Sequence, residues 1–166
     1  MGDTGDFDDL HPSARRVAVM LAELGVRGPF REFAASTKTA RDAASALGCD
    51  VGAIASCLVF VVDDRTVVVV KSGAFRVDTA QLGELLGGER VRTATPDEVR
   101  LATGQAIGGV SPVGWPASLE VLIDESLARF EQLWAACGTP NAVFATNFEQ
   151  LQSLTNARKV AFRNPG

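Results

Sequence analysis

The sequence predicts an α+β fold, a single domain in which a mixed β-sheet is flanked by helices. Three observations carry that expectation. Two β-branched runs, "CLVFVV" (57–62) and "TVVVVK" (66–71), flank a short "DDR" turn and read as a hairpin of buried strands. Helical segments with clear start and stop signals intermix with further short apolar runs, without the regular rhythm of a doubly wound parallel sheet. No linker or internal repeat divides the 166 residues, a length that suits one buried core.

The elements follow in order. Residues 1–10 form an acidic stretch expected to be a disordered tail, leaving 11–166 as the domain. Pro12 suits a first helical position, and "SARRVAVMLAELG" keeps helical spacing until Gly25. "PFREFAA" alternates as a strand does, and "STKTARDAASALG" is a helix with Ser36 or Thr37 as cap and Gly48 as stop. After the hairpin, Asp78 caps "DTAQLGELLG". "TPDEVRLATG" has Thr95 as cap, Pro96 first, Glu98 third and Gly104 as stop, the signature of a capping box. "LEVLID", "NAVFAT" and "RKVAF" are strands, while "ESLARF" and "NFEQLQSLT" are helices.

Composition narrows the function classes. Hydrophobic residues make up 46% and charged residues 22%, as in ordinary soluble globular proteins. A formal net charge of −4 argues against a broad electrostatic grip on nucleic acid, which shows as a basic domain. It leaves room for a local patch built from Lys38, Arg41, Lys71 and Arg76. Cys49, Cys57 and Cys137 lack the short spacing of zinc ligands and, with one histidine in the chain, read as reduced thiols with no metal site. The opening residues lack the apolar region of a signal peptide, and the apolar runs are too short to span a bilayer. A cytoplasmic location is expected, with no membrane partner.

One stretch is not explained by packing. "TGQAIGGVSPVGWP" (103–116) places four glycines and two prolines between a helix and a strand, interleaved with Ile107, Val110, Val113 and Trp115. Such a loop is ordered, and it serves either as a tight structural crossing or as a pocket lined by backbone N–H and C=O groups. It matches neither phosphate-binding glycine motif.

These residues resemble a known family. "RDAASALGCDVGAIASCLVF", "KSGAFRVD", "ATGQAIGGVSPVGW", "LIDESL" and "CGTPNAVFATNFEQLQSLTNARKVAF" occur in the order typical of the YbaK/aminoacyl-tRNA synthetase-associated domain family, across residues 37–162. The resemblance implies a mixed, curved sheet flanked by helices. It implies hydrolysis of the ester joining a wrong, small amino acid to tRNA, notably alanine or cysteine on tRNA for proline. The implied partners are that tRNA and an aminoacyl-tRNA synthetase, with no cofactor and no metal, in a monomer or homodimer. The family's glycine-x-x-x-proline motif is matched by Gly108 and Pro112, with Gly109, Val110 and Ser111 between them. Its backbone fixes the substrate carbonyl and places the attacking water or tRNA hydroxyl, a sound basis for ester hydrolysis. Asp124 borders the family's pocket. Where many members read Ile-Val-Lys-Ser-Leu-Val-Phe, this chain reads "IASCLVF", so Ser56 stands in place of a lysine and Cys57 follows it. Serine donates a hydrogen bond but supplies no cation.

A replacement cation is available across the hairpin. With Asp64-Arg65 as a two-residue turn, Leu58 opposes Lys71 and Ser56 opposes Gly73, which puts Lys71 on the same face as Ser56. A slip of one residue along the strand would reverse that face. Cys57 has no histidine base near it in sequence and alternates away from Ser56, which argues against a nucleophilic role. Asp124, next to Glu125, suits the cap of the short helix that follows. Two functions are thus expected. One is a trans-editing aminoacyl-tRNA deacylase using Gly108, Gly109, Pro112 and Ser56, with Cys57, Lys71, Val110, Ser111 and Asp124 binding substrate. The other is a catalytically silent binding module of the same fold, with a purely structural subunit as a third, smaller possibility.

Overall fold

The computed structural model describes residues 9–34 and 39–162. Helix α1 spans Pro12–Glu23, strand β1 Phe30–Glu32 and helix α2 Ala40–Leu47. The hairpin follows as β2 (Ile54–Val62) and β3 (Arg65–Ser72), then α3 (Thr79–Leu86), β4 (Val91–Thr93) and α4 (Pro96–Thr103). After the glycine-rich loop come β5 (Glu120–Asp124), β6 (Leu133–Ala136), β7 (Ala142–Thr146), α5 (Phe148–Thr155) and β8 (Arg158–Val160).

The helices begin and end largely where local chemistry dictates. Thr95 Oγ1 accepts the Glu98 N–H at 3.2 Å and the Glu98 carboxylate accepts the Thr95 N–H at 2.8 Å, completing the capping box. Asp78 caps α3 through the Ala80 and Gln81 N–H groups. The cap of α2 is Thr39, which accepts the Asp42 N–H at 3.0 Å. Ser36 and Thr37, expected there, lie outside the described residues. "ESLARF" forms a 3-10 turn over Glu125–Arg129 rather than an α-helix. Leu10, assigned to the tail by sequence, packs against the core.

Eight strands form one mixed sheet in the order β1-β7-β6-β2-β3-β5-β8, with β4 also on β2. β4 and β6 were not expected, because "VRT" and "LWAA" are too short to show a period. The hairpin register also differs from expectation. Asp63 and Asp64, both at positive φ (46° and 73°), form the turn, so Val62 pairs with Arg65 and Ser56 pairs directly with Lys71. Aspartate tolerates that conformation, and a two-residue turn of this kind matches the strand twist. Each expected partner moves by two residues, an even number, so the faces of both strands are preserved.

Helices cover both faces. Ala55, Val59, Val68, Val70, Ile123 and Phe144 face a core shared with residues of α1, α4 and α5. On the other face, Ile54, Trp134, Val143 and Ala145 pack under α2, while Phe60, Val69 and Leu122 pack under Leu82 of α3. Ser56 and Lys71 lie on this second face between those two patches.

Replacing Thr95 by alanine is expected to cost about 1 kcal/mol of stability, measurable by urea denaturation. The Glu98 carboxyl is held down to about 2, chiefly by hydrogen bonds from Arg92 and then by the Thr95 N–H. Its folded value lies below its ordinary one, so this contribution is complete above about pH 4.5 and is lost as pH falls toward 2. Glu98→Gln should flatten that acid limb in the same measurement.

A candidate active site at a gap in the sheet

The site begins with a vacancy along one edge of β2. β3 pairs with β2 from Ala55 to Val62 and occupies one edge. On the other edge, parallel β6 pairs only with Ile54 and Ala55, and β4 pairs only from Phe60 to Val62. The Ala94 N–H reaches the Val59 carbonyl at 3.0 Å, so residues 56–58 face no described strand there. Backbone groups alternate along a strand. The N–H and C=O of Cys57, two residues before Val59, therefore point into this gap.

The glycine-rich loop approaches the gap. A cavity of about 270 Å³ lies between them, lined by Ser56, Leu58, Lys71, Gly108, Val110 and Trp134, with α2 and Pro140 among its other walls. Ser56, Cys57, Lys71, Gly108 and Val110, chosen from sequence, thus meet at one cavity. Ser56 is half-buried, and its hydroxyl makes no hydrogen bond among the described residues. Lys71 is directly opposite, with Cβ atoms about 5 Å apart in such pairs. Its Nζ donates to the Phe75 carbonyl and lies 5.9 Å from the centre of the Phe75 ring. Burial lowers the Lys71 ammonium below the usual lysine range; the Asp124 carboxylate opposes that shift and Arg76 adds to it. Arg76 joins Lys71 in a small basic neighbourhood, Arg41 lies on α2, and Lys38 lies outside the described residues.

The remaining expected site residues are placed elsewhere. Gly109 does not line the cavity. Its N–H is engaged with the Ala106 carbonyl at 2.9 Å, and a Cβ there would come within 2.5–2.8 Å of the Thr139–Pro140 backbone. The backbone N–H groups of Gly108 and Val110 have no partner among the described residues and adjoin the cavity. Gly108 itself has φ of +87°, a conformation that favours glycine. Pro112 and Ser111 are buried on the far side of the loop. The Ser111 hydroxyl donates to the Val113 carbonyl at 3.0 Å, and its N–H donates to Gln105 Oε1 at 2.7 Å.

Asp124 is buried and serves structure, accepting the Ser72 N–H at 3.1 Å and the Ser126 N–H at 2.9 Å. The cap expected for the short helix is therefore present, and a second bond anchors the end of β3. The Cys57 thiol packs into the opposite core, where burial pushes it up to about 12. It stays protonated at neutral pH and meets no base.

Gln105 was not expected from sequence, and Trp115 was expected only as packing within the loop. Gln105 Nε2 donates to the Val113 carbonyl at 2.8 Å, and Trp115 Nε1 donates to the Ser111 carbonyl at 3.0 Å. Together with Ser111 they brace the loop from within. A glutamine between glycines is the only signal the sequence offered. Among the described residues, no group of three or more His, Cys, Asp or Glu could hold a metal ion. No described helix is long and apolar enough to cross a membrane.

Gly109→Ala is expected to displace the loop from Thr139–Pro140 and destabilise the fold by about 1–3 kcal/mol, the range for overpacking. Thermal unfolding checks the cost. Amide spectra should place the change at residues 105–113 and 138–141.

The geometry can be set beside known proteins. The family model for the aminoacyl-tRNA editing domain matches residues 34–154. An uncharacterized Bacillus subtilis protein, YwhH, is 32% identical over 125 residues, covering 75% of this chain and 79% of its own. Proline–tRNA ligase of Leuconostoc mesenteroides is 33% identical over 91 residues, which is 55% of this chain but 16% of the ligase. A crystal structure proposed to be a trans-editing enzyme for prolyl tRNA synthetase superposes with a TM-score of 0.87 and 42% identity, covering 95% of this chain and all of the other. The gap in β2, the Gly108 loop and strands β2 to β7 lie within the matched stretch, and the chain belongs to the aminoacyl-tRNA editing domain family.

Proposed function

We propose that the chain is a trans-editing deacylase, which hydrolyses the ester between a small, wrong amino acid and the 3′ end of a tRNA. Tiny side chains such as those of alanine, cysteine or serine suit the small cavity, and tRNA for proline is the expected carrier. Such an enzyme would work in the cytoplasm, where aminoacyl-tRNA is made and used. The observation that carries the reading is that Ser56, Lys71 and Gly108 border one cavity of about 270 Å³.

The chemistry follows from those groups. Water attacks the ester carbonyl carbon, the carbonyl oxygen gains negative charge, and the bond to the ribose oxygen breaks as that oxygen takes a proton. The products are the free amino acid and a tRNA with its terminal hydroxyl restored. The N–H groups of Gly108 and Val110 are donors suited to the developing oxyanion, and a nearby ammonium adds to that stabilisation. Lys71 supplies the cation from the strand opposite Ser56. Like charges directly opposed across two strands repel, so this pair of positions accommodates one lysine comfortably. In this chain the lysine has moved across the ladder.

A silent binding module is the competing reading, favoured by the bond already holding Lys71 to the Phe75 carbonyl. Deacylation of tRNA for proline charged with alanine, cysteine, serine or proline separates the two. The wild type is expected to hydrolyse at least one small, non-proline ester. Lys71→Ala should lower kcat/KM about 100-fold, the scale of losing one oxyanion-stabilising donor. The exchange Ser56→Lys/Lys71→Ser should restore most of that loss. An inert wild type beside an active Ser56→Lys variant would instead identify a binder.

The required charge also sets a pH dependence. The ammonium acts only when protonated, and its folded value is lowered. Enzymatic turnover, after subtraction of spontaneous hydrolysis, should therefore fall at a lower pH than an ordinary lysine would give. Lys71→Arg, which keeps its charge, should move that alkaline limb upward.

A further inference from the structure

A second, larger cavity lies on the other side of Pro140, which lines both. Its volume is about 700 Å³, and α1, the end of α4 and the segment Gly138–Asn141 enclose it. The family match begins at residue 34, so α1 brings to it side chains from outside the matched stretch. The packing of α1 there is close. A Cβ on Gly138 would meet the Ser13 carbonyl at 2.9 Å and Val17 at 2.7 Å, and one on Gly114 would meet Met20 at 2.8 Å.

The chemistry of the walls is unspent. Arg16 of α1 and Arg100 of α4 border the cavity and are exposed, and their guanidinium groups make no ion pair or hydrogen bond among the described residues. Each stands one helical turn before a residue that lines the same wall, Met20 and Gly104 respectively. The carboxylates of Asp9 and Glu32 and the His11 ring line the cavity near the N-terminus of α1, where Glu32 accepts the His11 backbone N–H at 3.1 Å. The two guanidinium groups therefore share the cavity with the carboxylates of Asp9 and Glu32.

We propose that this cavity binds the terminal nucleotides of the tRNA strand whose ester enters the smaller cavity. Arg16 and Arg100 engage backbone phosphate, for which guanidinium geometry is well suited. Met20 and Phe33 supply apolar surface for a base. The proposal rests on the deacylase reading for the direction of the strand, with Pro140 as the divide between nucleotide and acyl group. It also explains how a chain of net charge −4 can hold an anionic strand, since two placed arginines need no basic domain.

The test uses binding of a ligand that carries no aminoacyl ester, so it does not depend on turnover. The probe is the 5′-phosphorylated trinucleotide CCA, titrated into the full chain at low salt. In the isotope-labelled wild type, amide shifts are expected at α1, Gly104–Gln105 and Gly138–Asn141. Arg16→Glu/Arg100→Glu should weaken binding at least tenfold and reduce the slope of log K against log salt by roughly 1 to 1.5, as expected for two lost phosphate contacts. Lys159→Glu, on β8, should leave both the affinity and the salt slope unchanged. Shifts confined to the Ser56–Lys71 face, or equal binding by the double-arginine variant, would overturn the proposal. A chain that binds CCA through these arginines yet hydrolyses no aminoacyl-tRNA would retain this site and lose the deacylase reading. An active chain whose CCA affinity and KM ignore both arginines would do the reverse.

Discussion

Eight consecutive pairs join β2 to β3, from Val62 with Arg65 to Ala55 with Ser72, and the geometry of the site derives from that ladder. A ladder this long, with Val67 to Val70 wholly buried, holds its register strongly because a slip of one residue would turn an apolar face outward. The register decides that Ser56 meets Lys71. It also occupies one edge of β2 completely, leaving β6 and β4 to share the other. Neither reaches residues 56–58, and the cavity forms where the second ladder is interrupted. A sheet edge left open inside a fold is normally a liability, since its backbone groups lack partners. Here that opening faces the Gly108 loop and provides polar backbone beside an apolar pocket.

The loop meets the complementary requirement, which is to bring backbone close without a side chain in the way. Gly109 lets the Thr139–Pro140 backbone cross at a distance no Cβ would permit. Gly108 adopts a positive φ, and its own N–H and that of Val110 remain unengaged among the described residues. Gln105, Ser111 and Trp115 then hold the loop by hydrogen bonds within itself. Donors held in place by a rigid frame need no reorganisation when charge develops beside them, which is where such sites draw their effect. Pro140 belongs to both cavities, so the crossing that Gly109 permits also sets the boundary between them.

Much of the fold was legible because its signals are local. The Thr95–Glu98 box, the Asp78 cap and the glycine stops of α2, α3 and α4 are written within a few residues of where they act. β4 and β6 were not legible, since three or four residues cannot display a period and their identity depends on pairing with β2. The hairpin was found but its turn was displaced by one residue, because Asp63-Asp64 and Asp64-Arg65 differ only in which residues accept positive φ. The face of Lys71 was nonetheless retained, as the resulting change in partner was an even number. Ser111 and Asp124 illustrate the opposite limit. The family resemblance suggested substrate contact for both; each is buried, with Ser111 bonded within its loop and Asp124 making the cap that its position in the sequence indicates.

By itself, the sequence determined the ends of α3 and α4, the buried hairpin, the ordered glycine loop and the family, because each depends on residue type at short, fixed spacing. Only the tertiary structure decided that Ser56, Lys71, Gly108 and Val110 share one cavity, that Gly109 is needed for a backbone crossing, and that α1 walls a second cavity with Arg16. Those relations join residues up to a hundred positions or so apart, and they arise from strand pairing and close packing. No local propensity records where a ladder will be left open.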